Sequence, residues 1–153
     1  MKTILTYGTF DLLHVGHVRL LRRARAMGDR LVVGCSTDEF NLVKGKSSLY
    51  SFSDRQEILQ ACRFVDVVIP ESSWEQKLDD IRRHDVSVLA IGEDWKGHFD
   101  DLETGAGITV TYLSRTSGVS TTYVKDVLAS FDRDKKVYLQ ELVSKLSAEI
   151  ENL

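Results

Sequence analysis

The stretch "ILTYGTFDLLHVGHVRLLRRARAMGDRLVVGCS", residues 4–36, decides the fold class. It begins with a short strand-like run from Ile4 to Tyr7 and ends with a nearly continuous apolar run from Arg30 to Ser36. Between these runs, residues 15–27 have helical spacing, and Gly28 is typical of the position just past a helix C-terminus. A strand, a helix and an apolar strand in this order predict a βαβ unit of a parallel sheet.

The rest of the chain continues this alternation. Helices are predicted from Ser53 to about Cys62, with Ser53 and Gln56 as a capping box, from Trp74 to His84 and from Ser120 to Ser130. The segments "VDVVIP", "SVLAIG" and "ITVTYL" predict three further strands. The fold class is therefore α/β: a Rossmann-like single domain, with a parallel five-stranded sheet and helices on both faces. Residues 1–130 form this domain, and residues 131–153 form a C-terminal helical extension.

The extension has an apolar seam with alternating spacings of four and three residues. The seam consists of Leu139, Val143, Leu146, Ile150 and Leu153. It is typical of a last helix that packs on its own domain, which is the favoured interpretation. The alternative is a short helix that pairs with another subunit, although two heptads alone make a marginal coiled coil.

Composition limits the functional classes. The chain has 153 residues, 42% of them hydrophobic and 28% charged, as in soluble globular domains. No apolar run approaches the roughly 20 residues that span a bilayer, and the N-terminus lacks a signal-peptide pattern, so we expect a cytoplasmic protein without membrane insertion. The net charge of −3 gives no reason to expect a nucleic-acid partner. Cys35 and Cys62 have no spacing typical of a disulfide framework or metal knuckle.

Common phosphate-binding motifs do not match this sequence. There is no G-x-x-x-x-G-K-[ST] motif, and the "GAG" of residues 105–107 precedes a predicted strand instead of following one. A zinc site is not expected either, because His14 and His17 have no third ligand at suitable spacing, and no residue is assigned to a metal. Ligands of parallel sheets bind beyond the carboxyl ends of the strands, so the loops after the strands are the candidate site.

The loop after the first strand ends in "HVGH", residues 14–17, where a helix begins. Helix N-termini attract phosphate, and Gly16 has no Cβ to keep a phosphate from the backbone. Two imidazoles beside a phosphate can stabilise the charge that develops when a phosphoryl group is attacked. Either histidine alone would be interpreted as a helix-start residue, but Thr9 and Asp11 add polar groups at the same strand end.

A second polar cluster, "SRTSGVSTT", follows the last predicted strand at residues 114–122. Arg115 offers a forked donor for phosphate oxygens, and Gly118 permits a tight turn. Ser120 is a plausible N-cap of the next helix. Capping explains one hydroxyl, but it does not explain three hydroxyls behind an arginine and a glycine.

These two motifs resemble those of the cytidylyltransferase family in the HxGH nucleotidyltransferase superfamily. The strings "TYGTFDLLHVGH", "STDEFNLVKGK", "VDVVIPE", "WEQK" and "RTSGVSTT" are most similar to the glycerol-3-phosphate cytidylyltransferases of that family, and the resemblance covers residues 1–129. It implies transfer of a cytidylyl group from CTP to sn-glycerol 3-phosphate, giving CDP-glycerol and pyrophosphate. It further implies Mg²⁺ with CTP, a homodimer, and a product used for teichoic acid or a related cell-surface polymer.

The resemblance also implies residue roles. Those expected to act in catalysis are His14, His17, Lys44, Lys46 and Arg115. Those expected to bind the nucleotide are Thr9, Phe10, Asp11, His14, Gly16, His17, Lys46, Asp94, Arg115, Thr116, Gly118, Val119, Ser120, Thr121 and Thr122. Lys44, Lys77 and Arg55 are expected to bind the acceptor, Arg55 as an anion-binding residue.

Several alternatives remain open at this point. Without the resemblance, Lys44 and Lys46 would be interpreted as solvated loop lysines, and Lys77 as part of an exposed helix face. The chain could be a related nucleotidyltransferase that uses ATP or another polyol, sugar or alcohol phosphate. It could also be a regulatory module that binds nucleotide without turnover, or an assembly protein that functions through its C-terminal helix.

Overall fold

The computed structural model describes the backbone of residues 1–151 and the side chains of residues 1–131, 133–138, 140 and 141. Within this part of the chain, the strands are β1 (Thr3–Gly8), β2 (Arg30–Ser36), β3 (Val67–Glu71), β4 (Val86–Gly92) and β5 (Thr109–Leu113). The α-helices are α1 (Val15–Arg25), α2 (Asp38–Val43), α3 (Phe52–Gln60), α4 (Lys77–Arg83), α5 (Asp101–Ala106) and α6 (Thr121–Glu151). A single 3₁₀ turn, Glu93–Trp95, follows β4.

The strands form one parallel sheet in the order β3-β2-β1-β4-β5. The strand order reverses direction at β1, since the chain moves outward to β2 and β3 on one side and to β4 and β5 on the other. A Rossmann-like sheet places its ligands beside such a switch point, at the carboxyl ends of the strands. The predicted fold class is therefore confirmed, and the loop after β1 lies at the centre of the binding edge.

The two faces of the sheet carry separate apolar clusters. On one face, Leu21 of α1 and Leu59 of α3 pack against strand residues such as Val33. On the other face, Ile81 of α4 packs against Leu5 and its neighbours. Alternate residues of each strand point to opposite faces, and both faces are buried, which explains the nearly continuous apolar run of β2.

Some local predictions differ from the structure. The predicted capping box of Ser53 and Gln56 is wrong, because Ser51 is the N-cap of α3 and its Oγ accepts a hydrogen bond from the Asp54 N–H. The sequence predicts no bounds for the short helices α2 and α5, although Asp38 and Glu39 are typical helix-start residues. At six residues each, the two helices are too short for a helical period to be recognised.

The C-terminal part of the chain is one continuous helix, α6, instead of the two helical segments that the sequence predicts. Ser120 caps it as predicted, since its Oγ accepts a hydrogen bond from the Tyr123 N–H. The chain divides into two compact units, Met1–Val119 and a second unit that starts at Ser120. The predicted boundary at residue 130 stays a prediction, and the predicted apolar seam of Leu139, Val143, Leu146, Ile150 and Leu153 lies outside the described side chains. None of the helices in the described residues has the length and apolar character needed to cross a membrane.

Candidate active site

The loops at the carboxyl edge of the sheet surround one cavity. Its lining comes from the ends of β1, β3 and β4 and from the segments that follow the first four strands, and consists of Tyr7, Gly8, Thr9, Lys44, Lys46, Glu71, Trp74, Lys77, Ile91, Trp95 and Phe99. Three lysines and one glutamate lie among these residues, together with four aromatic rings. The cavity therefore combines positive charge with apolar walls at the edge where a parallel sheet binds ligands.

The HxGH motif forms the start of α1. His14 is the N-cap residue, and its Nδ1 accepts a hydrogen bond from the Gly16 N–H at 3.1 Å. His17 Nδ1 in turn accepts a hydrogen bond from the backbone N–H of His14 at 3.4 Å. The two rings are stacked with centroids 3.8 Å apart, and the Phe10 ring contacts His17 edge-on at 5.4 Å. The helix start thus fixes the orientation of both imidazoles.

These hydrogen bonds also determine where the imidazole protons lie. Because each Nδ1 accepts a hydrogen bond, a neutral ring must carry its proton on Nε2. Burial lowers the pKa of His14, and burial together with the neighbouring His14 lowers the pKa of His17 to about 4, although Asp11 opposes this shift. His17 is therefore neutral near pH 7, and its Nε2–H is a hydrogen-bond donor without a formal charge.

The loop after β5 reaches the HxGH motif at Gly16. A Cβ placed on Gly16 would lie 2.8 Å from His14 Cε1 and 3.1 Å from Val119 Cγ1. Both distances are shorter than ordinary van der Waals contacts, so a Cβ at residue 16 would force the imidazole and Val119 to shift. The first and last crossover loops, which carry the two sequence motifs, are therefore neighbours within the first unit.

A buried cluster of charges lies at one side of the cavity. The Glu71 carboxylate accepts from Lys77 Nζ at 2.8 Å through one oxygen, and from Lys44 Nζ at 3.3 Å and Ser36 Oγ at 2.6 Å through the other. The three charged side chains are at most 7% exposed. Burial lowers the pKa of Lys44, and the charge of Glu71 opposes that shift. Two ammonium groups on one carboxylate leave the cluster with one net positive charge, which favours an anionic ligand.

Aromatic rings complete the walls around these lysines. Lys77 Nζ lies 4.4 Å from the centre of the Tyr7 ring, 4.9 Å from that of Trp74 and 5.4 Å from that of Phe99. Lys46 Nζ is 6.0 Å from the Trp95 ring. These separations are within the range of cation–π attraction, which helps to keep the ammonium groups in an apolar cavity.

Asp11 and Arg55 hold the loop that carries Lys44 and Lys46. The Asp11 carboxylate is buried and accepts from the backbone N–H groups of Leu49 and Tyr50. Its predicted position beside the phosphates stays a prediction, but these bonds connect the HxGH loop to the lysine loop.

Arg55 is held inside the protein, and its predicted anion-binding role stays a prediction. Its side chain has no exposed surface, and its guanidinium donates to the carbonyl oxygens of Thr9, Ser36 and Tyr50 and to the Asp38 carboxylate. Because these bonds use the guanidinium inside the protein, Arg55 holds together the ends of β1 and β2 and the start of α3. Sequence reasoning could not distinguish this role from a ligand contact.

Arg115 and Asp94 are paired with each other at the rim of the sheet. The guanidinium donates to Asp94 Oδ2 at 2.7 and 2.8 Å, and the Arg115 N–H donates to Glu93 Oε1. Both side chains are at least half exposed, and such surface pairs are worth only about 0–1 kcal/mol. A phosphate could therefore replace Asp94 as the partner of Arg115 at little cost.

The structure brings together Thr9, Lys44, Lys46 and Lys77 in the cavity, and His14, Gly16, His17, Phe10 and Val119 around the start of α1. Ser120, Thr121 and Thr122 belong to the second unit, so their predicted contact with the nucleotide stays a prediction. Sequence reasoning did not identify Glu71, Tyr7, Trp74 or Phe99 as site residues. Tyr7, Glu71 and Trp74 lie within the strings that resemble the family, whereas Phe99 had no signal beyond its place after a strand.

Comparison with known proteins agrees with this arrangement. Residues 5–127 match the family model described as cytidylyltransferase-like. A glycerol-3-phosphate cytidylyltransferase of Staphylococcus aureus is 52% identical over 132 residues, which are 86% of this chain and 98% of that protein. A mouse ethanolamine-phosphate cytidylyltransferase is 34% identical over 75% of this chain, although the match covers only 30% of the mouse protein.

The fold has a counterpart among solved structures. The lipopolysaccharide core biosynthesis protein of Thermoplasma volcanium aligns with a TM-score of 0.65 at 24% identity, over 76% of this chain and 97% of that protein. At this identity, the likeness supports the fold alone. The match of the family model to most of the chain, together with the HxGH motif at the switch point of a parallel sheet, shows that the chain belongs to the cytidylyltransferase-like family.

Proposed function

We propose that this chain transfers the cytidylyl group of CTP to sn-glycerol 3-phosphate, giving CDP-glycerol and pyrophosphate. The observation that carries the proposal is the pair of buried lysines, Lys44 and Lys77, in the cavity beside the HxGH loop. Two ammonium groups on one carboxylate suit an acceptor phosphate, and apolar ring faces suit the carbon chain of a small polyol. The name of the Staphylococcus aureus relative agrees with this chemistry.

The reaction needs no covalent intermediate on the protein. A phosphate oxygen of the acceptor attacks the α-phosphorus of CTP in line, and the bond from that phosphorus to the bridging oxygen breaks, so that pyrophosphate leaves with the electron pair. The acceptor is already an anion near neutral pH, and it therefore needs no strong base to activate it. Catalysis then depends on positioning and on donors directed at the charge that develops.

The proposed roles combine the chemistry of these side chains with the roles that the family resemblance implies. Nε2–H groups of His14 and His17 donate to phosphate oxygens of CTP, and Lys46 and Arg115 add positive charge there. Thr9, Phe10, Asp94, Thr116 and Gly118 surround the nucleotide, with Ser120, Thr121 and Thr122 from the start of α6. Lys44 and Lys77 hold the acceptor phosphate. Arg55 and Asp11 act indirectly, because they fix the loops from which these groups project.

Mg²⁺ is proposed to arrive with CTP. Among the described residues, no three histidine, cysteine, aspartate or glutamate side chains are grouped so that they could hold a metal ion. The triphosphate itself would therefore supply most of the ligands of the ion, and no step is assigned to a metal site of the protein. We also propose a homodimer in the cytoplasm, whose product enters teichoic acid or a related cell-surface polymer.

A pyrophosphate-release assay tests the proposal. The purified chain is incubated with Mg²⁺, each of CTP, ATP, GTP and UTP, and a panel of polyol, sugar and alcohol phosphates. The highest kcat/KM is expected for CTP with sn-glycerol 3-phosphate. Preference for ATP or for another acceptor would identify a related transferase, and nucleotide binding without pyrophosphate release would identify a regulatory module.

A further inference from the structure

The acceptor side of the cavity contains an aromatic cage that is occupied by a side chain of the protein itself. The cage is defined here as the rings of Tyr7, Trp74 and Phe99, whose centres lie 4.4, 4.9 and 5.4 Å from Lys77 Nζ. Glu71 Oε1 lies 2.8 Å from the same nitrogen. Several rings and a carboxylate around one ammonium group form the arrangement with which proteins recognise ammonium ligands.

The cage is held in place by contacts outside it. The Tyr7 hydroxyl donates to Asp80 at 2.8 Å, and the Tyr7 ring fills the space beside Gly34, where a Cβ would lie 2.1 Å from the ring. The Trp74 ring contacts Phe40 and Trp95 at centroid distances of 5.2 and 5.3 Å. Because the rings have partners of their own, removal of the lysine amine should leave a preformed ammonium site.

The Lys77 ammonium group inside the cage affects which acceptors can bind. Lys44 and Lys77 already place two positive charges on Glu71, so an acceptor with its own ammonium group would add a third. Like charges brought together at a desolvated site are strongly unfavourable. A polyol phosphate brings only negative charge and neutral hydroxyls, and it meets no such repulsion.

We propose that Lys77 is a specificity-determining residue: its ammonium group fills the aromatic cage and so excludes alcohol phosphates that carry an ammonium group. This inference rests on the proposed function, because it concerns the acceptor of that reaction. Ethanolamine phosphate, the compound in the name of the mouse relative, is an acceptor of the excluded kind, and choline phosphate is another.

The test compares three proteins: the wild-type chain, Lys77→Ala and Lys77→Arg. Alanine empties the cage while Glu71 keeps Lys44 and Ser36 as partners, whereas arginine keeps a cation there. The measured quantity is the ratio of kcat/KM for ethanolamine phosphate to that for sn-glycerol 3-phosphate, with CTP saturating. We expect the ratio to rise by at least about tenfold in Lys77→Ala and to stay within about threefold of wild type in Lys77→Arg.

An unchanged ratio in a folded Lys77→Ala variant would overturn the proposal, as would an equal rise in both variants. If the alanine variant does not fold, the wild type provides a second test. Ethanolamine phosphate and choline phosphate should inhibit the reaction with sn-glycerol 3-phosphate only at concentrations about tenfold or more above its KM. Inhibition at concentrations near that KM would contradict the proposal.

These outcomes are distinct from failure of the proposed function. A wild-type chain that shows no turnover with CTP and sn-glycerol 3-phosphate would refute the function itself. In that case, the fluorescence of Trp74 and Trp95, which line the cavity, reports directly whether ethanolamine phosphate binds. Binding to Lys77→Ala and not to the wild type would still support the occupied cage, and binding to neither would overturn it.

Discussion

His14 and His17 each use one ring nitrogen to build the helix start and carry their proton on the other. Nδ1 accepts a backbone hydrogen bond in both residues, so the proton lies on Nε2 whenever the ring is neutral. A neutral donor that is fixed by its own helix needs little reorganisation when charge develops on a phosphate. The sequence spacing H-x-G-H therefore encodes a specific tautomer as well as a position.

Replacement of His17 by alanine should reduce turnover by about 100- to 1000-fold, since one donor directed at developing charge is worth about 3–4 kcal/mol. The control is Arg82→Ala, which removes a largely exposed guanidinium on α4. Steady-state pyrophosphate release measures both variants, and circular dichroism verifies that they are folded. Near-wild-type turnover in the His17 variant would show that His17 has no role in catalysis.

The lowered pKa of His17 should make the folded state sensitive to acid. The group titrates near 6.5 when unfolded and at about 4 when folded, so the unfolded state binds more protons between these values. The free energy of unfolding should therefore fall as the pH drops from 6.5 towards 4, by on the order of 2–3 kcal/mol from this residue. Urea unfolding at pH 7 and 4.5 should give a smaller loss in His17→Asn than in wild type. Equal losses in wild type and in His17→Asn would contradict the assignment.

Among the elements, the start of α1 depends on a close approach at Gly16. Gly16→Ala would place a Cβ 2.8 Å from the His14 ring and 3.1 Å from Val119, so the imidazole must move. We expect a loss of turnover of at least about tenfold without loss of stability, because alanine favours a helix over glycine by up to about 1 kcal/mol. Gly105→Ala in α5 is the matched control, since nothing lies within 4 Å of its added Cβ. Equal activity of the two variants would show that the reaction tolerates a displaced His14 imidazole.

The loops after β1 and β2 and the start of α3 depend on Arg55. Arg55→Met should lower the free energy of unfolding by about 3 kcal/mol or more, because three carbonyl oxygens lose this buried donor and the Asp38 carboxylate loses its charged partner. Arg82→Met removes a largely exposed guanidinium and should change stability by less than about 0.5 kcal/mol. Urea unfolding measures both variants. A stable Arg55→Met variant with a raised KM for the acceptor would instead restore the anion-binding role.

For the whole molecule, the sequence predicts the elements that follow from a local residue pattern. It does not predict contacts between side chains that are far apart along the chain. The bounds of β2 were predicted correctly, because both faces of this strand are buried and its residues are nearly all apolar. The start of α3 was misplaced by two residues, because Ser51 and Ser53 are equally good caps. The pairing of Glu71 with Lys44 and Lys77 joins side chains from three segments, and no local spacing encodes such a contact.

The acidic net charge of the chain is compatible with polyphosphate binding because the cations are concentrated. The chain carries a formal charge of −3, yet Lys44, Lys46 and Lys77 line one cavity with a single glutamate. Charges that are partly removed from water interact more strongly than those on the surface. The local field at the carboxyl edge of the sheet, and not the overall charge, therefore governs the attraction of an anionic substrate.

Residues beyond 130 should be dispensable for turnover. The family model matches residues 5–127 and so ends before residue 130. A chain truncated after Ser130 keeps the first turns of α6 and should retain kcat/KM within about threefold, a change of less than about 0.7 kcal/mol in transition-state stabilisation. Truncation after Val119 is the control, because it removes Ser120, Thr121 and Thr122 and should abolish turnover if these hydroxyls bind CTP. A loss of more than about tenfold in the folded longer truncation would instead assign the C-terminal helix to catalysis, whereas retained activity leaves it available for subunit pairing.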